Sequence, residues 1–388
     1  MARVCLVTHY MPPHRGGVER VAQQLSHWYS RAGHDVTWVA TDGGGGSPLE
    51  HDGPVELRRV AAFNGLERWR GMPFPIPSPF ALGPLRDAVA RADVVHLHDC
   101  LYFPILAADR AAQRAGVPTI VTQHVATVAF GGPVDPLLDR AYRTVGRRVL
   151  RHASRVAFVN AGVRAWFASH VDPTLASEHI PNAVDLDRFH PATASERLAA
   201  RRSFGVAADA TVVLFVGRLV PKKHLAVVAE ALASLGGPWH ALVVGDGPDR
   251  AALRSLGPRV THVPDLPFGR MPEAYAAADL FTLPSRDEGT PLTVLEAMAA
   301  GIPCALSDDR AFDELAPCPG VVRSPATGPG LAAAIAPLID DPERRRTGGV
   351  AARAWAEAHY GEERIARRYL ELVEEVSAEG ARARRASR

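Results

Sequence analysis

Cysteine is scarce in this sequence, and the few cysteines present form no metal-binding or disulfide pattern. The 388 residues include four cysteines, and no two of them stand in a CxxC pair. Zinc sites and the disulfide frameworks of small secreted proteins both need closely spaced cysteines. We therefore expect reduced thiols, a cytoplasmic protein and no bound metal.

Long apolar runs and an excess of one charge are also missing. No stretch is long enough to cross a bilayer, and the chain opens on a strand rather than on a signal-like segment, so we expect at most a peripheral membrane contact. The formal net charge of +2 argues against a nucleic-acid partner. What remains is a chain with 47% hydrophobic residues, long enough for two domains that each bury a core.

The most informative stretch is Ser285–Cys304, SRDEGTPLTVLEAMAAGIPC. It predicts a strand end, a turn through Gly289, and a helix with Thr290 as its N-cap and Pro291 at its first position. Loop amides and a helix N-terminus together can bind an anion. A carboxylate would repel phosphate, and Glu296 lies among apolar residues inside the helix, so we expect Glu296 to bind the hydroxyl groups of a ribose.

Strands alternate with helices throughout the second half of the chain, which predicts a parallel sheet covered on both faces. Polar or glycine-rich turns follow three of these strands and should meet at one edge of the sheet. They are Gly217-Arg218, Gly245-Asp246-Gly247 and the loop that holds Glu288. Arg218 and Lys223 supply a forked guanidinium and a point charge near the helix N-terminus. Together they favour a nucleotide-diphosphate ligand, whose departure needs no metal when cations and amides supply the charge.

The first half also begins with a strand, a glycine-containing loop and a helix. Gly16 and Gly17 lack the spacing of dinucleotide sites, so they fit either a plain turn or amides that face a ligand. His124 follows a later strand, where a structural and a catalytic role are both open. His96 and His98 alternate on one strand face and could bind zinc, although no third ligand is close in sequence.

A basic amphipathic helix is predicted over residues 136–152. Its apolar stripe fits packing against the sheet, whereas its arginines suit either solvent or an anionic membrane surface. A crossover between domains, PNAVD, follows at residues 181–185. The DxD pattern of Asp185 and Asp187 in this linker is too short to indicate a metal site.

These motifs resemble those of the family 4 retaining glycosyltransferases, which have the architecture called GT-B. The resemblance covers nearly the whole chain. Its most specific element is the pair Glu288 and Glu296, seven residues apart in EGTPLTVLEAMAAGIP. The other matches are the Gly217-Arg218-Leu219 turn with Lys223, the turn Gly245-Asp246-Gly247-Pro248 and the crossover PNAVD.

The resemblance implies an α/β fold of two Rossmann-like domains with parallel sheets that face each other across a cleft. An acceptor domain is expected at residues 1–183 and a donor domain at residues 184–360. A helix at 361–376 should return to the first domain. The tail at 377–388 is charged and poor in apolar residues, so we expect it to be disordered.

The resemblance also implies a role for each matching residue. Arg218 and Lys223 would bind the donor diphosphate and stabilise it as the leaving group. Glu288 would lie beside the donor sugar, Glu296 would bind the ribose, and His124 would face the transferring sugar. Further donor contacts would come from residues in the loops and at the helix start, namely Gly16, Gly17, Gly217, Gly245, Gly247, Gly289, Thr290, Pro291 and Leu292. Front-face attack guided by the leaving phosphate explains retention in this family, so we assign no nucleophilic carboxylate.

The hypothesis is that a hexosyl group moves, with retention and without a metal, from a UDP- or GDP-linked sugar to a glycan, lipid-linked or small-molecule acceptor. Two alternatives stay open, a non-catalytic protein that binds a sugar nucleotide and a sugar-nucleotide epimerase. The chain departs from the family pattern at three places: His224 and Ala183 replace glycines, and Asp308-Asp309-Arg310 replaces a glycine pair.

Overall fold

The computed structural model describes residues 1–14, 16–42, 47–65, 67, 74–126 and 134–386. The chain divides into two compact units, the first formed by Met1–Pro181 with Glu363–Arg388 and the second by Asn182–Glu362. Each unit has its own cluster of buried apolar residues around a mostly parallel sheet. None of the helices formed by the described residues has the length and hydropathy needed to cross a bilayer.

The first unit is built on an eight-stranded sheet. Its strands are β1 (Arg3–Val7), β2 (Asp35–Thr41), β3 (Leu49–Asp52), β4 (Val55–Val60), β7 (Val94–His98), β8 (Thr119–Gln123), β9 (Arg155–Phe158) and β10 (Glu178–His179), with β5 (Ala62–Phe63) and β6 (Ile76–Pro77) forming a separate pair. The order across the sheet is β10-β9-β8-β7-β1-β2-β4-β3, and every neighbouring pair is parallel except β3 with β4. The chain leaves β1 first to one side and later to the other, so a switch point lies between β1 and β7.

Helices connect these strands and cover the sheet. Among the described residues of the first unit, besides the last helix, they are Gly17–Arg31, a 3-10 segment at Pro79–Leu82, Gly83–Arg91, Phe103–Ala115, Val134–Ala141, a π-helical turn at Tyr142–Gly146, Arg147–His152 and Ala161–His170. The helix Gly17–Arg31 has a one-sided apolar stripe, with Val21, Leu25 and Trp28 buried. The helical pattern predicted over residues 136–152 is therefore present, with a π-helical turn inside it.

The last helix runs Glu362–Ala386, so residues 377–386 are helical and the expected disordered tail is wrong for them. The charged composition predicted disorder, but charged residues of this segment form ion pairs with other residues of the first unit. Arg155 pairs with Glu379 at 2.7 Å, and Gly380 lies so close to Pro118 that an added Cβ would be 2.7 Å from its ring. Burial of Val376 and these contacts extend the helix beyond its apolar pattern.

The second unit contains a six-stranded parallel sheet. Its strands are β11 (Thr211–Val216), β12 (Trp239–Val244), β13 (Val260–Val263), β14 (Leu280–Leu283), β15 (Cys304–Ser307) and β16 (Val321–Ser324). They lie in the order β13-β12-β11-β14-β15-β16, which places the switch point between β11 and β14. The central strand β11 is buried at every position and rich in β-branched residues, as expected for a strand covered on both faces.

The helices of the second unit alternate with its strands, as the sequence predicts. They are Ala194–Ser203, Leu225–Ala233, Met271–Ala277, Leu292–Ala299, Gly328–Asp340 and Pro342–Tyr360, with 3-10 segments at Pro221–Lys223, Pro248–Arg259, Phe268–Arg270 and Arg310–Leu315. The segment after β12 is 3-10 rather than the predicted α-helix, and it is kinked at Gly257. Pro258 cannot donate a backbone hydrogen bond, which explains the interruption.

Candidate functional site

The switch point of the second unit brings several of the predicted site residues to one place. Arg218 and Lys223 follow β11, and Glu288 follows its neighbour β14. The connections that follow these two strands run to opposite sides of the sheet. No crossover therefore covers their carboxyl ends, which leave a crevice. Ligands bind in this crevice in folds of this kind.

A cluster of opposite charges lies at this edge, and we call Arg218, Lys222, Lys223 and Glu288 the cationic edge. Lys223 Nζ lies 2.7 Å from Glu288 Oε1, and Lys222 Nζ lies 3.8 Å from the same oxygen. The backbone N–H of Arg286 donates to the carbonyl oxygen of Lys222 at 3.0 Å, which joins the loop after β14 to the turn after β11. The guanidinium of Arg218 is exposed. The loop therefore holds one buried carboxylate against two ammonium groups.

Burial and charge act in opposite directions at this edge. Burial alone would raise the pKa of Glu288, but the positive charges of Lys223 and Lys222 lower it below its usual value. Arg218 adds to this lowering. Burial lowers the pKa of Lys222, although the carboxylate of Glu288 opposes that shift. Arg218, Lys222 and Lys223 act on Glu288, and Asp287 is a second acid that acts on Lys222, so cations outnumber carboxylates at the cationic edge, which suits an anion.

Glycine is required where the turns after β11 and β12 touch each other. At Gly245, which has a φ of +119°, a Cβ would lie 2.1 Å from the carbonyl oxygen of Gly217. The turns are also joined by a hydrogen bond from the N–H of Leu219 to the carbonyl of Asp246, at 2.9 Å. Gly247 lies equally close to the backbone of Leu219. These glycines thus fix the backbone that carries Arg218.

The helix after the Glu288 loop starts one residue later than predicted. It runs Leu292–Ala299, and its N-cap is Pro291, with no side chain capping the free amides. Thr290 is thus not the N-cap: it lies one residue before it, is buried, and its carbonyl oxygen accepts a hydrogen bond of 2.8 Å from Asn182 Nδ2. Without a capping side chain, backbone N–H groups at the helix start stay available to an anion.

Glu296 is buried on this helix and held by a tyrosine from a different helix. The hydroxyl of Tyr275 donates to Glu296 Oε2 at 2.6 Å, and it lies 3.3 Å from the carbonyl oxygen of Thr293. Both side chains are less than 5% exposed. A buried carboxylate that accepts such a short hydrogen bond is held in one orientation.

The other predicted site residues lie in the first unit, at the carboxyl edge of its sheet. Gly16 is the N-cap of the helix Gly17–Arg31 that follows β1. A Cβ at Gly16 would lie 2.1 Å from Glu19 Oε2, because the buried Glu19 side chain folds back over the helix start. His124 follows β8 and is also buried. The helix start at Gly16 thus lies beside the Glu19 carboxylate.

Buried imidazoles and carboxylates form a histidine cluster around this edge, comprising His9, Glu19, His98, Asp99 and His124. His98 Nδ1 lies 2.8 Å from His124 Nε2. Asp99 Oδ1 accepts hydrogen bonds from the backbone N–H of His124 and from Gln123 Nε2, each at 3.0 Å. Asp99 has a φ of +67°, a strained conformation for a residue other than glycine, of the kind that occurs at functional sites.

Burial sets the protonation of the histidine cluster. It lowers the pKa of His124 to about 3 and the pKa of His98 well below its usual value. It raises the pKa of Asp99 to about 7. Next to the cluster, burial opposes protonation of His14, yet its hydrogen bonds to Glu19 and Glu67 raise its pKa to about 9. At neutral pH the imidazoles of His98 and His124 are therefore uncharged.

Contacts in the structure describe three further patterns of the sequence. His96 and His98 do point to one face, with ring centroids 4.7 Å apart, but within the described ranges no group of three or more His, Cys, Asp or Glu is arranged to hold a metal. Asp185 accepts hydrogen bonds from the backbone N–H groups of Asp187 and Arg188, so the DxD pattern forms a turn. In the basic helical stretch, Arg147 and Arg151 both pair with Asp172 rather than facing solvent unpaired.

Several residues that sequence reasoning missed contribute to these sites. Lys222 joins the cationic edge, Tyr275 holds Glu296, and Asn182 holds the loop before the helix Leu292–Ala299. Of these three residues, only Lys222 could have been recognised from the sequence, because it is a second lysine next to Lys223. The other contacts join positions 21 and 108 residues apart, which no local pattern reveals.

Family models match both halves of the chain. The model described as "Glycosyl transferase 4-like domain" covers residues 16–183, and the model described as "Glycosyl transferases group 1" covers residues 196–355. Neither model matches the C-terminal helix.

Curated relatives and a solved structure extend these matches to nearly the full length. A "GDP-mannose-dependent alpha-mannosyltransferase" from Mycolicibacterium smegmatis is 30% identical over 370 residues, covering 91% of this chain and 94% of the relative. A "GDP-mannose-dependent alpha-(1-6)-phosphatidylinositol monomannoside mannosyltransferase" from the same organism is 29% identical over 373 residues, covering 90% and 93%. The structure of sucrose-phosphate synthase from Thermosynechococcus elongatus superposes with a TM-score of 0.78 at 21% identity, covering 97% of this chain and 100% of that one. The predicted α/β fold of the GT-B class is confirmed.

Proposed function

We propose, from the premise that this chain belongs to the group 1 glycosyltransferases, that it transfers a mannosyl group from GDP-mannose to a lipid-linked acceptor. That it is a glycosyltransferase follows from the family itself. The comparisons support transfer and give no support to the non-catalytic or epimerase alternatives. The base, the sugar, the acceptor and the stereochemistry are what we propose here.

The observation that carries the proposal is the cationic edge at the switch point of the second unit. A diphosphate needs several positive groups, and Arg218, Lys222 and Lys223 supply them around Glu288. The helix start at Leu292 would add N–H donors. The loops around it would be shaped by Gly217, Gly245, Gly247, Gly289, Thr290 and Pro291. These contacts suit a nucleoside diphosphate better than a monophosphate.

The same charges would carry the chemistry. When the bond between the sugar and the diphosphate breaks, negative charge grows on the departing phosphate oxygen. Arg218 and Lys223 would stabilise this charge as it develops, which is electrostatic catalysis by groups already in place. Glu288 would orient Lys223 through its 2.7 Å ion pair and lie beside the sugar. This arrangement needs no metal, and we propose a metal-independent transfer with retention, in which the leaving phosphate guides the acceptor.

Glu296 would bind the ribose of the nucleotide. Its Oε2 is fixed by Tyr275, so the carboxylate cannot rotate freely and presents a defined acceptor to two neighbouring hydroxyl groups. A carboxylate held in this way would recognise a ribonucleotide at a place removed from the diphosphate charge. In the first unit, we propose that His124 contacts the transferring sugar and that the helix start at Gly16 and Gly17 adds donor contacts.

GDP-mannose and a lipid-linked acceptor are proposed because of the relatives. Both mannosyltransferases named above are GDP-mannose-dependent, and one acts on a phosphatidylinositol monomannoside. A contact of helix 136–152 with the membrane and a cytoplasmic location are compatible with such an acceptor and stay predictions. Sedimentation with anionic liposomes tests the contact: Arg140→Glu with Arg148→Glu should reduce binding, and unchanged binding would contradict it.

A thermal-shift panel of nucleotide sugars tests the donor assignment. GDP-mannose should raise the Tm of the native chain more than UDP-glucose does, with EDTA present. The increase should disappear in Arg218→Ala and in Glu296→Ala. Arg346→Ala, which removes an exposed arginine paired only with Glu343 among the contacts described, is the matched control and should behave as native. A larger increase with UDP-glucose, or a requirement for a divalent metal, would overturn that part of the proposal.

A further inference from the structure

Two buried histidines, His96 and His98, lie on one face of β7 at its carboxyl end, and their contacts differ. His98 Nδ1 lies 2.8 Å from His124 Nε2, and the two rings are nearly parallel, with an interplanar angle of 11°. His96 instead bonds the Tyr29 hydroxyl at 3.0 Å and the Thr122 hydroxyl at 2.8 Å. One histidine of the motif therefore reaches the proposed sugar-binding residue, and the other does not.

The bond between His98 and His124 joins two neutral rings. Both imidazoles are buried, and their burial keeps them unprotonated at neutral pH. A neutral imidazole carries a single N–H, so one of the two facing nitrogens donates and the other accepts. The direction of this bond decides which nitrogen of His124 carries its proton.

The other nitrogen of His98 indicates the direction. His98 Nε2 is buried, and among the described residues it has no hydrogen-bond partner. If Nδ1 were the acceptor, Nε2 would carry the proton and would be a buried donor with no acceptor. Buried N–H groups without a partner are the rarer defect in proteins, whereas an unused lone pair is tolerated better. The proton of His98 therefore belongs on Nδ1, which donates to His124 Nε2.

We propose that His98 is a positioning residue that holds His124 in the Nδ1–H tautomer, so that His124 offers a hydrogen-bond donor to an oxygen of the transferring sugar. This inference rests on the proposed function, in which His124 contacts that sugar. Asp99 supports the arrangement, because it accepts the backbone N–H of His124 at 3.0 Å and so fixes the start of the loop. A donor suits this role because sugar hydroxyl and ring oxygens both accept hydrogen bonds.

Nitrogen NMR of the full chain labelled with ¹⁵N-histidine tests the tautomer directly, without any ligand. The His124 signals are assigned by comparison with His124→Ala. In the native protein at pH 7.5, Nδ1 of His124 should carry the proton and Nε2 should be bare. In His98→Leu the ring should become a mixture of both tautomers. A proton on Nε2 of His124 in the native protein would overturn the proposal.

Steady-state kinetics then test the consequence, with GDP-mannose as donor and phosphatidylinositol monomannoside as acceptor. Loss of a positioned hydrogen-bond donor typically lowers kcat about 100-fold. In His98→Leu the donor of His124 is still present but its tautomer is no longer fixed, so we expect a smaller fall in kcat, about tenfold. The KM for GDP-mannose should stay the same. His98→Asn, whose side-chain N–H can replace the donor, should recover most of the kcat. A kcat for His98→Leu equal to the native value would overturn the proposal.

Matched variants separate this role from a structural one and from the proposed function. His96→Leu removes the neighbouring buried histidine, and it should lower the Tm while leaving kcat unchanged. An equal fall of kcat in His96→Leu and His98→Leu would show a merely structural effect and contradict the proposal. If His124→Ala loses activity while His98→Leu keeps it, the positioning role of His98 is contradicted, and the contact of His124 with the sugar is still supported. If His124→Ala keeps full activity, that role in the proposed function fails first.

Discussion

The two sheets of this chain share the same order around their first strands, yet the strand ends at or next to their switch points carry opposite kinds of chemistry. In the second unit, β11 and β14 end in lysines, an arginine and an ion-paired glutamate. In the first unit, β7 and β8 end in buried, uncharged histidines. The topology sets where a ligand can bind, and the residues at the strand ends decide what it can be. A positive edge suits a diphosphate, whereas uncharged imidazoles suit sugar hydroxyl groups.

Removing a cation from the second unit should have the largest effect. Lys223→Ala takes away the ammonium group 2.7 Å from Glu288 and leaves the carboxylate with the more distant Lys222. We expect kcat to fall by about 100- to 1000-fold, the range found when a preorganised stabilising group is lost. Initial rates with saturating GDP-mannose measure it, and Arg346→Ala is the control. A change of less than threefold would mean that the cationic edge does not act on the reaction.

Tyr275→Phe should have a smaller effect, and mainly on binding. The change removes the hydroxyl that lies 2.6 Å from Glu296 and keeps the ring. Hydrogen bonds to charged groups contribute about 1.5–3 kcal/mol, so we expect the KM for GDP-mannose to rise about tenfold or more. The kcat should change little, because the ribose is remote from the breaking bond. Tyr360→Phe, at another buried tyrosine of the same unit, should leave the KM unchanged. A fall in kcat alone would contradict the assignment of Glu296 to the ribose.

The neutral histidines of the first unit should make its stability depend on pH. Burial lowers the pKa of His96 and of His124 from 6.5 to about 3, so the unfolded chain takes up protons first as the pH falls. Their contribution is complete above pH 6.5 and is lost as the pH falls toward 3. Each such histidine adds a slope of about 1.4 kcal/mol per pH unit in that window.

Urea unfolding at pH 7.5, 6.0 and 5.0 measures this slope. His96→Leu should reduce the pH dependence of the free energy of unfolding by at most the contribution of one histidine. Tyr29→Phe removes a hydrogen-bond partner of the same ring without removing the titrating group, so it should keep the native slope. Equal slopes in His96→Leu and in the native chain would show that His96 is not neutralised by burial.

The smallest expected effect concerns a strained residue beside the cationic edge. His224 replaces the glycine of the family pattern, and its backbone lies in the left-handed region, with φ 53° and ψ 42°. Such a conformation costs about 1–2 kcal/mol for a residue with a Cβ, so His224→Gly should stabilise the chain by about 1 kcal/mol. Thermal unfolding checks it, and the same change at His240 in β12 should destabilise. A lower Tm for His224→Gly would show that the His224 side chain makes a stabilising contact.

Much of the fold could be predicted because local patterns determine it. The buried β-branched run of β11 and the strand-helix alternation after it are visible in the sequence, and the turns at Gly217, Gly245 and Glu288 do meet at one edge. At Ala183, which replaces a glycine of the family pattern, φ is not positive, so the backbone at this position does not require glycine.

The rest could not be predicted because it depends on contacts between distant elements. Tyr275 meets Glu296 from another helix, and His98 meets His124 from another strand. The cap at Pro291 and the helical turns after Val376 are also set by tertiary packing rather than by propensity. The third departure from the family pattern illustrates the same limit, since Asp309 caps the 3-10 segment Arg310–Leu315 through the N–H of Ala311.

Calorimetric titration with GDP and with GMP tests most directly whether the cationic edge of the second unit holds a diphosphate. We predict that the native chain binds GDP more tightly than GMP and that this preference is lost in Arg218→Ala and in Lys223→Ala. We also predict that His124→Ala, which removes a buried imidazole of the first unit, keeps the preference. Equal affinity of the native chain for GDP and GMP, or a preference that survives in both cation variants, would contradict it.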